Sequence, residues 1–173
     1  MNMRIALVGY MAAGKNYWGK RLAERLEVPF LDLDEELEKE VLHMPIPEFI
    51  STKGELAFRK QERHMLTELS TNQSNIVLAT GGGTPCYYDN MEVLKQAFTT
   101  VYLDVSIKTL ADRLKENRIH RPLISHVKDD ELKEFVAKHL FERRVFYSQA
   151  KIAIHENDLT LDELIARIEY ATT

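Results

Sequence analysis

Residues Gly9 to Lys15 read G-Y-M-A-A-G-K. They stand between the apolar run Ile5-Ala6-Leu7-Val8 and the segment Tyr17-Trp18-Gly19-Lys20-Arg21-Leu22-Ala23. A glycine-bounded loop between a predicted strand and a predicted helix has few ways to fold. Its backbone N–H groups converge, and the helix start adds partial positive charge, so the concavity suits an anion. The spacing G-x-x-x-x-G-K is that of the phosphate-binding loop, in which the lysine reaches the outer phosphates of a nucleotide. One position departs from the pattern: Asn16 stands where Ser or Thr would supply a hydroxyl to Mg²⁺. The plain alternative is an ordinary turn that uses glycine for its backbone freedom.

The rest of the chain alternates in the same way. Strands are predicted at Ile5–Val8, Phe30–Leu33, Ile76–Ala79, Thr100–Leu103 and Ile152–Ile154. Helices are predicted over Tyr17–Leu26, Glu35–Leu42, Glu55–Leu69, Met91–Phe98, Ile107–Lys115, Asp129–Gln149 and Leu161–Tyr170. Short, nearly all-apolar strands between helices predict an α/β fold with a parallel sheet covered on both faces. No linker divides the chain, so residues 1–173 read as one domain. Ligands of such sheets bind beyond the carboxyl ends of the strands. That rule selects Gly9–Lys15, Asp32–Asp34, Gly81–Gly83 and the segment after the helix that follows Leu103.

Charge and composition narrow the function classes. With 23 basic and 27 acidic residues the formal net charge is −4, which argues against a general nucleic-acid surface. The single cysteine, Cys86, excludes an intramolecular disulfide and fits a reducing cytoplasm. No apolar run approaches the roughly 20 residues of a membrane span, and no signal-peptide pattern is present. The six histidines are scattered without metal-ligand spacing.

Asp32 and Asp34 end the second predicted strand in F-L-D-L-D. In extended chain both side chains leave one face. They could serve a hydrated Mg²⁺ and a substrate hydroxyl; alternatively, Asp34 caps a helix starting at Glu35. Gly81-Gly82-Gly83 permits close approach of backbone to a ligand, or forms a flexible turn. Arg59 lies on a charged helix and by itself reads as a solvated residue. Arg121 precedes Pro122 in the polar stretch 116–128, which reads as a mobile loop. An arginine there could close over a transferred phosphoryl group. Arg143 and Arg144 sit late in a long helix, where cations suit the helix C-terminus.

In order along the chain, the pieces L-V-G-Y-M-A-A-G-K, F-L-D-L-D, G-E-L-A-F-R-K-Q-E, A-T-G-G-G, R-P-L-I and R-R-V-F-Y-S-Q-A resemble the shikimate kinase family. These are small P-loop kinases related to the nucleoside monophosphate kinases. The resemblance implies a three-layer α/β/α fold with a five-stranded parallel sheet in order 2-3-1-4-5. It implies ATP bound at Ala12, Ala13, Gly14, Lys15, Asn16, Tyr17 and Arg113, with Lys15 on the β- and γ-phosphates and Arg113 beside the adenine. Mg²⁺ would be held by Asn16 and, through water, by Asp32. Asp34 would bind substrate hydroxyls and assist as base. Arg59, Arg143 and the glycines Gly81, Gly82 and Gly83 would bind shikimate, the two arginines taking its carboxylate. Arg121 would be the lid arginine on the γ-phosphate. A helical segment at about 35–62 would receive the substrate and a lid at about 116–128 would cover it. The implied protein is a cytoplasmic monomer with no nucleic-acid or membrane partner.

Four residues depart from the family pattern: Asn16, Tyr17 after it, Ala12 for a loop glycine, and Gln149 for a glutamate. Two other outcomes fit the same residues. One is a different small-molecule kinase, of the gluconate type. The other is a nucleotide-binding homologue weakened by Asn16.

Overall fold

The structure, a computed structural model, describes residues 3–117, 124–155 and 160–172. Five parallel strands form one sheet: β1 (Arg4–Val8), β2 (Phe30–Asp32), β3 (Ile76–Ala79), β4 (Thr99–Asp104) and β5 (Ile152–His155). Their order is β2-β3-β1-β4-β5, as the resemblance implied. Register is fixed by pairs such as Ile5 with Val77 and Thr99 on either side of β1. Every residue of β1 is buried, which accounts for its continuous run without alternation. The helices are α1 (Lys15–Leu26), α2 (Leu33–Glu36), α3 (Ile46–Lys53), α4 (Glu55–Thr71), α5 (Asn90–Ala97), α6 (Ile107–Glu116), α7 (Leu132–Tyr147) and α8 (Leu161–Thr172). Leu22, Leu66, Leu94, Leu110, Val136 and Leu164 carry the apolar faces of six of them into the core.

Three departures from the sequence expectation bear on the site. The second strand stops at Asp32, and Asp34 already lies in the first turn of α2. The carboxylate of Asp32 caps this helix, accepting from the N–H of Asp34 at 2.9 Å and of Glu35 at 3.4 Å. The capping residue is therefore Asp32 rather than Asp34, and the two side chains are not related by strand alternation. Next, α2 runs on into a wider π-helical winding over Leu37–Leu42. Both Leu37 and Leu42 are buried although they are five residues apart. Finally, α3 was not expected, because Pro45 and Pro47 flank Ile46. Pro45 occupies the cap position and Pro47 the first turn, where a missing N–H costs nothing.

At the opposite end of the sheet, buried Arg4 donates to Ala97 O at 3.1 Å and to Leu69 O at 2.8 Å. It thereby closes the C-terminal ends of α5 and α4, whose dipoles offset its charge.

Candidate active site

The loop 9–14 leaves the central strand β1 and turns into α1. Gly9, Ala12 and Gly14 all have positive φ, at 146°, 63° and 94°. Ala12 holds a left-handed conformation that a glycine would occupy without strain, which is the physical content of that sequence departure. The Lys15 ammonium is buried against the loop and donates to Gly9 O at 2.8 Å and Tyr10 O at 2.9 Å. Asn16 opens α1 and donates its amide N–H to the Asp32 carboxylate. That bond ties the phosphate loop to the cap of α2.

A cavity of about 600 Å³ lies over these elements at the carboxyl ends of the strands. Of the sequence-predicted residues, Ala12, Gly14, Lys15, Asn16, Tyr17, Asp32, Asp34, Gly81, Gly82 and Arg113 line it. Ala13 is buried beneath the wall. Arg113 donates to Ala12 O at 3.0 Å, which holds its guanidinium across the loop. Arg121 lies outside the described residues, as does much of the predicted lid.

The glycine triplet is required by three different neighbours. A Cβ on Gly81 would stand 2.7 Å from Asp34 Oδ1. One on Gly82 would stand 3.2 Å from the Met11 N, in the phosphate loop. One on Gly83 would stand 2.5 Å from Arg59 Nη2. The reason for these glycines is close approach rather than flexibility; among the described glycines the positive φ values belong to Gly9, Gly14 and Gly54.

Arg59 is buried and not part of a solvated face. Its Nη1 meets both oxygens of Glu62 at 3.1 and 3.0 Å, and its Nη2 meets Glu55 at 3.3 Å. Its guanidinium carbon lies 4.1 Å from the Tyr87 ring centroid and 4.9 Å from that of Phe58. Burial works against the Arg59 cation, but Glu62 first and Glu55 after it raise its affinity for the proton above the ordinary value. Glu62 is fully buried and also accepts from Thr84 Oγ1 at 2.6 Å. Arg143 acts on the same neighbours as Arg59: its charge helps lower the Glu55 and Tyr87 groups, and it hydrogen-bonds Tyr147. Tyr147 in turn donates to Gly82 O at 2.5 Å, locking α7 to the triplet. Arg144, next to Arg143, pairs with Asp104 at the end of β4 at 2.9 Å. Neither Arg59, Arg143 nor Gly83 lines the main cavity; they stand behind it, beside Tyr87 and Cys86.

Asp34 is the electrostatically unusual group. Burial, then the charges of Glu62 and Asp32, push its carboxyl up to about 6, against the opposing pull of Lys15 and Arg59. A carboxylate held there is a better base than one at its ordinary value and is still ionised at neutral pH. The residues sequence reasoning passed over are Glu62, Thr84 and Tyr147. Glu62 carried one signal, since it follows Arg59 by three residues and so shares its helix face.

A five-stranded parallel sheet whose central strand ends in a glycine loop and a lysine, facing a raised carboxyl and a glycine triplet, is a P-loop kinase fold. The family model described as shikimate kinase matches residues 11–171. The shikimate kinase of Flavobacterium psychrophilum is 42% identical over 166 residues, 95% of this chain and 96% of that one. A crystal structure of shikimate kinase from Bacteroides thetaiotaomicron superposes with a TM-score of 0.87 at 38% identity, covering 98% of each chain. Another, of shikimate kinase from Acinetobacter baumannii in complex with shikimate, gives 0.84 at 33% identity over 98% of this chain and 93% of that one. The chain belongs to the shikimate kinase family.

Proposed function

We propose that this chain transfers the γ-phosphoryl group of ATP to the 3-hydroxyl of shikimate, forming shikimate 3-phosphate for aromatic amino-acid biosynthesis. The observation that carries this reading is the meeting of Lys15, Asp34 and the glycine triplet on one cavity, with Arg59 directly behind Gly83. Lys15 and the N–H groups of the loop Ala12–Tyr17 hold the phosphates. Arg113 lies beside the adenine. Asp34 accepts the proton of the attacking hydroxyl, and its raised carboxyl suits that task. Arg59 and Arg143 take the substrate carboxylate; the bond from Arg59 to half-exposed Glu55 is the one exchanged for it, while buried Glu62 keeps the guanidinium in place. Gly81, Gly82 and Gly83 let the sugar-like ring approach the backbone. Segment 35–62 receives the substrate, and a lid at about 116–128 brings Arg121 to the γ-phosphate.

The residues present also suit Mg²⁺. This ion takes one or two protein oxygens and fills its octahedron with waters and phosphates. Because the Asn16 N–H is given to Asp32, the amide oxygen of Asn16 is left as a ligand, with Asp32 acting through water. Bound there, Mg²⁺ would neutralise phosphate charge. Among the described residues no cluster of three His, Cys, Asp or Glu offers a competing metal centre. Among the described residues no helix is long and apolar enough to cross a membrane, and we read the protein as a cytoplasmic monomer.

The test is ADP release by purified protein with Mg-ATP and shikimate, gluconate or a nucleoside monophosphate. Release with shikimate alone is expected; release only with one of the others overturns the reading. Asn16→Ser is expected to raise kcat about tenfold, a barrier change of about 1.4 kcal/mol. The loop backbone and Lys15 supply phosphate affinity without this side chain, so ADP affinity should stay within about twofold. A variant no faster than the parent would show that the amide serves as well as a hydroxyl.

A further inference from the structure

The cavity extends beyond Lys15 to an end that phosphoryl transfer leaves unused. Trp18, the chain's only tryptophan, stands there one turn after Gly14. A point placed as a Cβ on Gly14 lies 3.5 Å from Trp18 Cδ1, 3.8 Å from its Nε1 and 3.9 Å from Arg113 Nη1. The indole and the guanidinium thus flank the last glycine of the loop from two sides, and both line the cavity. Each is held from behind. Arg113 is fixed by its bond to Ala12 O. Trp18 meets Tyr17 edge to face at 5.2 Å and 84°, and the Tyr17 hydroxyl accepts from Arg21 at 2.8 Å. Part of the indole packs on the core, but the remainder faces the cavity.

We propose that Trp18 and Arg113 form the two walls of a slot for the nucleobase, with Trp18 the residue that converts phosphate binding into nucleotide binding. This rests on the loop holding the phosphates. A nucleotide anchored there must send its base either toward Asp34, where the acceptor binds, or between these two groups. The slot offers an aromatic face and a planar cation, the two surfaces on which a base stacks.

The probes are ADP and inorganic tripolyphosphate, titrated without shikimate. Trp18→Leu should weaken ADP binding about tenfold or more and change tripolyphosphate binding less than twofold, while Trp18→Phe should keep most of the ADP affinity. The unaltered protein gives an independent reading: ADP should shift or quench the single tryptophan's emission far more than tripolyphosphate does. Equal losses for both probes, no loss for ADP, or equal emission changes would overturn the slot. Failure of tripolyphosphate to bind at all would instead overturn the phosphate-loop reading beneath it.

Discussion

Asp34→Asn is expected to yield a protein that is more stable and nearly inactive. The two effects share one cause. In the folded chain burial and the nearby charges of Glu62 and Asp32 push the Asp34 carboxyl from 3.8 up to about 6. A raised carboxyl binds its proton more tightly folded than unfolded, so this group contributes a penalty as pH rises from about 4 to about 6, complete above that. Two units correspond to about 3 kcal/mol at neutral pH. Neighbouring groups relax when the charge is removed, so about 1–3 kcal/mol of stabilisation should appear in denaturant melts at pH 7.5, vanishing near pH 4. Removing a positioned base should lower kcat by about 10²–10⁴. For the parent protein, kcat/KM for shikimate should rise with pH through an apparent pKa near 6. A pH-independent gain in stability, or a profile flat between pH 5 and 7, would show that Asp34 is not the titrating group.

Arg59→Ala should be costly twice over. Glu62, fully buried, would keep only the Thr84 hydroxyl of its described partners. Breaking a buried pair from one side typically costs about 3–5 kcal/mol, which lowers the melting temperature by roughly 10 °C in a chain of this size. Shikimate affinity should fall in addition by about 2–4 kcal/mol, the value of a desolvated charge-assisted pair. ADP affinity should hardly move. Arg59→Ala with Glu62→Leu separates the two effects, because it removes the stranded carboxylate while leaving the substrate without its arginine. Recovery of stability without recovery of shikimate binding is the expected result. Parallel loss of ADP and shikimate binding would reassign Arg59 to folding alone.

The sheet was legible because its strands are buried on both faces, so runs such as Ile5–Val8 and Ile76–Ala79 announce themselves without alternation. The phosphate loop was legible because its glycines answer to backbone geometry written locally. Legibility failed where one part of the chain is answered by another far along it. Arg59 reads as solvated on its own helix, and only the approach of Gly83, 24 positions later, shows it buried. Tyr147 reaches Gly82 across 65 residues, a contact no local pattern encodes. The start of α2 was misplaced because the aspartate that caps it also ends a strand, and α3 was hidden by two prolines that happen to fall where helices tolerate them.

The wide winding over Leu37–Leu42 carries a consequence for how this family member could be remodelled. A π turn accommodates one more residue than a regular helix of the same length, like a spare link in a chain. Deleting a residue there would let the segment relax to α geometry while turning everything after it by about 100°, the step of one helical residue. The sheet, the loop and Asp34 lie upstream or elsewhere and would keep their places. Only the orientation of α3 over the acceptor would change, so acceptor shape and nucleotide handling can be altered independently of each other.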